Sequence, residues 1–139
     1  MGVLPDDGTL PALSPRNTEW FTSGALKVQQ CSRCGVLQHP PEELCHQCGS
    51  FELGFKELAG RGSVYSYTVA HYAVNRGLVD AVPYAVVLVS LDDAPEVRVI
   101  GNVLDIPPDQ VRIGMPVEAV WEERDADGDH LLVPQWIPR

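Results

Sequence analysis

The sequence predicts a mainly β protein in which a short N-terminal helix and a metal-binding ribbon precede a five-stranded barrel. Two observations predict this fold class. Four cysteines fall into two CxxC pairs in the first half of the chain, and the second half alternates apolar, β-branched segments with turn residues. Composition divides the 139 residues into a loose arm at 1–13, a helix plus ribbon at 14–56 and a barrel at 57–139.

The helix prediction rests on residues just after the arm. Ser14-Pro15 combines a helix N-cap with proline at the first helical position, and Gly24 is a typical C-terminal stop. We therefore expect one helix over about residues 15–23, anchored by Trp20 and Phe21. An irregular aromatic clasp is the alternative.

The barrel prediction rests on five segments at regular spacing. Asp127-Gly128 is a strong hairpin signal between the last two, and residues 106–111 suggest a short helical turn. The second segment is apolar on both faces and is expected to be central and buried. Five strands in a partly open Greek key form the OB architecture. The segments are Gly62–Ala73, Tyr84–Leu91, Val97–Leu104, Val117–Glu123 and Leu131–Ile137.

The cysteine pairs predict a structural metal site. Cys31 and Cys34 form one knuckle, Cys45 and Cys48 the other, and each second cysteine is followed by glycine. Four thiolates close a tetrahedral shell around Zn²⁺ and leave no open position for water. An iron site of the rubredoxin kind uses similar cysteine pairs, so iron remains an alternative to zinc. A redox CxxC would need a thioredoxin-like βαβ unit, which the sequence lacks.

The charge distribution argues against nucleic acid. The chain has a formal charge of −9, and residues 57–139 carry 13 acids, 6 arginines and no lysine. Such a surface repels phosphate backbones. The longest apolar stretch, Ala81–Leu91, is too short to span a bilayer, and the N-terminus does not read as a signal peptide. We expect a cytoplasmic protein.

Aromatic side chains on the first barrel strand are a second candidate site. Strand alternation places Tyr65, Tyr67, Val69 and His71 on one face. A stripe of this kind can stack bases, but the negative charge favours core or a partner interface. His71 is also a candidate acid–base group, although no carboxylate or nucleophile accompanies it in the sequence.

Together these motifs resemble the zinc-ribbon/OB-fold family of acyl-CoA-associated proteins, formerly a domain of unknown function. The resemblance runs from about Thr18 to Pro134. The motifs that carry it are Trp20-Phe21, the cysteines Cys31, Cys34, Cys45 and Cys48, Pro40-Pro41, Gly60-Arg61-Gly62-Ser63-Val64-Tyr65 and Gly114-Met115-Pro116-Val117.

The resemblance implies an N-terminal helix, a rubredoxin-like zinc ribbon and a five-stranded OB-fold barrel. It also implies a non-catalytic subunit that binds a thiolase-like, lipid-transfer-type enzyme in a 2+2 assembly and helps form its acyl-CoA site. Some such assemblies cleave steroid side-chain CoA thioesters by a retro-aldol reaction. The cofactors expected are structural Zn²⁺ and a CoA thioester shared with the partner.

Beside the resemblance we single out candidate residues for the partner and for the substrate. Three alternatives to the role of a thiolase partner stay open: an OB-fold nucleic-acid-binding protein, a partner of an enoyl-CoA hydratase, and an independent CoA-dependent enzyme that uses His71. The expected partner-binding residues are Trp20, Phe21, His39, Pro40 and Pro41, and the candidate substrate-channel residues are Tyr65, Tyr67 and His71.

Overall fold

The computed structural model describes residues 2–5 and 10–139. In this part of the chain a short helix is followed by eight strands, with 3₁₀ turns at Arg76–Leu78 and Pro108–Gln110. None of its helical segments has the length and apolar character needed to cross a membrane. The elements are α1 (Thr18–Thr22), β1 (Leu26–Cys31), β2 (Leu37–Gln38), β3 (Leu53–Leu58), β4 (Arg61–Ala70), β5 (Tyr84–Leu91), β6 (Ala94–Asn102), β7 (Pro116–Ala126) and β8 (Asp129–Pro138).

The ribbon is a small antiparallel sheet with the order β2-β1-β3. Its central strand pairs along its whole length with β3, from Leu26 opposite Leu58 to Cys31 opposite Leu53. The two-residue β2 pairs on the other side of β1. This sheet carries the first knuckle at the end of β1 and leaves the second knuckle in the loop before β3.

The barrel confirms the predicted five strands. Their order is β6-β5-β4-β7-β8, and neighbouring strands are antiparallel. A parallel bridge between Val103 and Trp136 nearly closes the sheet on itself, and the N–H of Leu104 donates to the Trp136 carbonyl at 2.7 Å. Gly101 relieves crowding at this seam, because a Cβ there would lie 3.0 Å from Trp136 Cδ1.

Several local predictions are confirmed and others shift. Strand β5 has the predicted bounds. The sequence predicts burial on both of its faces, but one face is buried and the other is half-buried. Asp127 and Gly128 both have positive φ, as a type I′ hairpin requires. The helix is shorter than predicted: Ser14 accepts backbone bonds from Asn17 and Thr18, so residues 15–17 form a turn before α1 begins.

Ribbon and barrel share one hydrophobic core. Trp20, Val28 and Leu58 from the first part belong to the same buried cluster as Val99 and Trp136 from the barrel. The ribbon is therefore packed against the barrel and its position is fixed by that core.

A bulge at Tyr65 interrupts β4 and changes which side chains share a face. The Tyr65 ring lies under the guanidinium of Arg98, with Cζ 3.9 Å from the ring centroid. Tyr67 instead lies opposite the buried Val87. His71 follows the end of the strand and is exposed. The expectation of one shared face is therefore wrong, since the extra residue of a bulge shifts the alternation by one.

Candidate metal centre and the adjoining cleft

Four cysteine sulfurs converge beside the ribbon sheet. The Sγ atoms of Cys31, Cys34, Cys45 and Cys48 all lie within 4.8 Å of one another. Across the two knuckles, Cys31 and Cys48 are 3.7 Å apart, and Cys34 and Cys45 are 3.6 Å apart. Sulfurs at ~2.3 Å from a tetrahedral Zn²⁺ are separated by ~3.8 Å. The four cysteines are thus positioned to bind one metal ion, and a four-sulfur shell suits a structural centre.

Backbone N–H groups prepare the first sulfur of each knuckle for an ion. Cys34 N–H donates to Cys31 Sγ, and Cys48 N–H donates to Cys45 Sγ, both at 3.4 Å. The first of these bonds, acting against desolvation, lowers the pKa of Cys31 to about 6. The second likewise lowers the pKa of Cys45. Hydrogen bonds to a thiolate stabilise the charged form, which is the form that binds metal.

The glycine after each knuckle allows this geometry. Gly35 and Gly49 have φ of 81° and 76°, a region that costs glycine little. Their N–H groups donate to the carbonyls of Cys31 and Cys45, both at 2.9 Å. Each chain segment therefore reverses directly after its second cysteine.

A buried pair of glutamines holds the loop between the knuckles. Gln38 Nε2 donates to Gln29 Oε1 at 2.7 Å, and both side chains are buried. Gln29 also accepts from the N–H of Glu42 at 2.8 Å and donates to its carbonyl at 2.9 Å. Gln38 donates to the Leu44 carbonyl and accepts from the His46 N–H. These bonds fix residues 42–46 on the ribbon without help from the sulfurs.

A cleft of about 900 Å³ lies between the ribbon, the N-terminal arm and the outer face of the barrel. The His39 ring packs on Trp20 in its wall, with ring centroids 4.3 Å apart. Burial lowers the pKa of His39 to about 4. Tyr84, Val86 and other half-buried residues of β5 and β6 form the opposite wall.

The cleft brings the expected partner-binding residues together. Trp20, Phe21, His39, Pro40 and Pro41 all line it. Trp20 is buried in the core and Phe21 packs against that core, whereas Pro40 is exposed. The prediction of partner contact thus depends on the exposed members of this group. The candidate channel residues of β4 lie outside the cleft lining.

Glu122 is a buried structural position that the sequence did not reveal. Its buried carboxylate accepts the N–H groups of Val3 and Leu4, at 3.2 and 2.9 Å. It also accepts from Gln135 Nε2 at 2.9 Å and pairs with Arg124 at 2.9 Å. Residues 3 and 4 of the arm are therefore bound to β7, and they help line the cleft. The signal in the sequence was weak: one acid among several at the end of a strand. Residues 6–9 lie outside the described part of the chain.

Two protein-family profiles match this chain consecutively. Residues 22–54 match the rubredoxin-like zinc ribbon domain of ChsH2, and residues 55–122 match the C-terminal OB-fold domain of ChsH2. The boundary between the two matches falls inside β3.

Curated relatives fall into two groups. A probable enoyl-CoA hydratase alpha subunit from Thermomonospora curvata is 40% identical over 92% of this chain and 39% of its own length. A 3-oxo-4,17-pregnadiene-20-carboxyl-CoA hydratase alpha subunit from Mycobacterium tuberculosis is 33% identical over 85% of this chain and 38% of its own length. A DUF35 domain-containing scaffold protein from Methanocaldococcus jannaschii is 35% identical over 75% of this chain and 72% of its own length. The chain thus spans about two fifths of the hydratase subunits.

Solved structures show the same arrangement. A chain of an Ltp2-ChsH2(DUF35) aldolase is 39% identical, covers 93% of this chain and 98% of its own, and superposes with a TM-score of 0.78. A DUF35 protein of unknown function from Sulfolobus solfataricus, 19% identical with a TM-score of 0.54, shares the fold.

Proposed function

Because this chain belongs to the DUF35 family, with the zinc-ribbon and OB-fold domains of ChsH2, we propose that it is a non-catalytic accessory subunit of a thiolase-like enzyme. It would help form the acyl-CoA site of that enzyme, whose own residues would perform the chemistry. Retro-aldol cleavage of steroid side-chain CoA thioesters is the candidate reaction. The observation that carries the proposal is the likeness, over nearly the whole of both chains, to a subunit of an Ltp2-ChsH2(DUF35) aldolase.

The metal in this proposal is Zn²⁺, with a structural role. The four sulfurs match its tetrahedral shell, as described above, and thiolates are ligands that zinc favours. Cys31 and Cys45 are buried while Cys34 and Cys48 are exposed. An ion held here would fix the second knuckle against β1 and so keep the ribbon rigid for partner binding.

We assign two surfaces to the partner: the exposed Pro40 of the predicted partner-binding residues, and the loop after β4. Tyr72 is 83% exposed and Val79 is 58% exposed. Both are large apolar side chains left in water within one loop, which is typical of interaction sites. The acidic barrel, with a net charge of −7 over residues 57–139, favours a partner with a basic surface over a private site for the phosphates of CoA. Any CoA would then be shared with the partner.

Co-expression with a thiolase-like protein tests the proposal. We expect the two proteins to co-elute in size-exclusion chromatography, in equal numbers if the assembly is 2+2. Replacing Tyr72 and Val79 together by serine is expected to weaken association by more than about tenfold. Ile113→Ser is the matched control, because Ile113 is 69% exposed in a different loop. Elution of the wild-type chain alone would refute the partner role; equal effects of both variants would refute only the loop surface.

An enoyl-CoA hydratase is the second candidate partner. Two relatives are named hydratase alpha subunits, and about three fifths of each lies beyond the part that this chain matches. A parallel co-expression with an enoyl-CoA hydratase separates the two candidates. A thiolase partner predicts co-elution with the thiolase-like protein alone, and a hydratase partner predicts co-elution with the hydratase alone.

A further inference from the structure

The cleft beside the ribbon contains polar groups without partners. Among the described residues, His39 Nδ1 and Asn75 Oδ1 are buried and lack a hydrogen bond, and both residues line the cleft. His39 comes from the loop between the knuckles, and Asn75 directly precedes the first 3₁₀ turn. A buried polar atom left unsatisfied costs about 1–3 kcal/mol. Two such atoms beside one cleft therefore indicate hydrogen-bonding capacity that a ligand can use.

The rest of the cleft is largely apolar. Trp20 and Phe21 line one side, and Leu78, Val86 and Ile100 line the others. Ile100 lies on β6 and is 66% exposed although it lines the cleft. A concave apolar surface with a few convergent polar groups, of about 900 Å³, has the size and character of small-molecule sites.

The charges around the cleft exclude a strongly anionic ligand. Among the described lining residues, Arg16 is the one arginine or lysine. It is already paired with Glu42 and Glu43, at 3.9 and 3.0 Å. His39 is neutral above about pH 4, since burial lowers its pKa to that value. A phosphate or carboxylate would thus lose water without gaining a free positive charge.

We propose that this cleft binds an uncharged, largely apolar molecule that carries a hydroxyl group. In this proposal one hydroxyl, which both donates and accepts, bonds the amide oxygen of Asn75 and the imidazole nitrogen of His39. The terminal torsions of histidine and asparagine are roughly two-fold. Because both atoms are buried in the structure, the proposal includes a half-turn of each terminal torsion that brings the unpartnered atom to the cleft surface. This inference goes beyond the proposed partner role and does not depend on it.

Three probes of equal chain length test the proposal on the isolated full chain. We would titrate 1-nonanol, 2-nonanone and nonanoate by calorimetry, with tryptophan fluorescence as a second readout because Trp20 lies in the wall. We expect nonanol to bind about threefold more tightly than the ketone and at least about tenfold more tightly than the carboxylate.

Two variants connect that preference to the named atoms. His39→Phe keeps a ring against Trp20, and Asn75→Leu keeps side-chain volume, so each removes polar atoms with little change in shape. Either is expected to abolish the advantage of nonanol over the ketone, whereas His130→Phe, at an exposed histidine outside the cleft, leaves it unchanged. The proposal is overturned if nonanol does not bind, if nonanoate binds as tightly, or if both variants retain the preference. If no probe binds, the cleft would instead be a surface for a polypeptide segment of the partner. The co-elution experiment tests the partner role independently, so the two failures can be distinguished.

Discussion

Replacing His39 by phenylalanine should reduce the sensitivity of the fold to acid. In the folded chain burial holds the pKa of His39 at about 4, against 6.5 for the free side chain. As the pH falls below 6.5, the unfolded chain takes up a proton on this ring and the folded chain does not. Stability contributed through His39 is therefore unaffected above about pH 6.5 and is lost progressively down to about pH 4.

The size of the effect follows from the same shift. Each unit of pKa change corresponds to about 1.4 kcal/mol, so the full loss is about 3 kcal/mol between neutral pH and pH 4. At pH 4.5 we expect a loss of about 2.5 kcal/mol relative to neutral pH, which the phenylalanine variant does not show. At neutral pH the variant should match the wild type within about 1 kcal/mol, because the ring against Trp20 is retained.

Urea unfolding at several pH values between 7 and 4.5, followed by far-UV circular dichroism, measures this difference. Wild type and variant keep the same four cysteines, so proton competition for the metal site cancels in the comparison. His71→Phe serves as the control at an exposed histidine. Parallel pH dependences for wild type and His39→Phe would refute the assignment of a neutral, buried His39.

Three further predictions concern the sulfurs, the arm and the barrel. In elemental analysis we expect one equivalent of zinc per wild-type chain and none in Cys34→Ser, and this variant should also increase hydrogen exchange across residues 26–58 more than across β5; equal zinc contents would contradict the four-sulfur site. Glu122→Gln should lower the free energy of unfolding by about 2 kcal/mol in urea titrations, while Glu123→Gln, at an exposed neighbour, stays within about 0.5 kcal/mol; equal effects would contradict the clamp on the arm. Gly62→Ala should cost about 2–3 kcal/mol, because its Cβ would meet the Ser90 carbonyl, whereas Gly54→Ala, with its nearest neighbour at 4.0 Å, should cost less than half as much in the same assay.

Features encoded by neighbouring residues were predictable from the sequence. The knuckle glycines, the Asp127-Gly128 hairpin and the bounds of β5 depend on contacts within a few positions, and the structure confirms them. The shortened helix shows the limit even there, since Asn17 joins a turn with Ser14 before α1 starts.

Features that depend on distant partners were not predictable. The bulge at Tyr65 is defined by the register between β4 and β5, which alternation along one strand cannot reveal. Glu122 reads as a surface acid because the arm that covers it lies 118 positions away in sequence. The unpartnered atoms of His39 and Asn75 become a site only when the ribbon and the barrel are packed together.

The Gln29–Gln38 amide pair also affects how the protein would respond to losing its ion. Because those two side chains fasten residues 42–46 to the β1–β2 hairpin through uncharged bonds, chelation should loosen the sulfur-bearing tips before it moves His39 and Pro40. Protein without its metal ion would then keep the cleft that faces the barrel. Removing the ion should therefore leave small-molecule binding in the cleft unchanged.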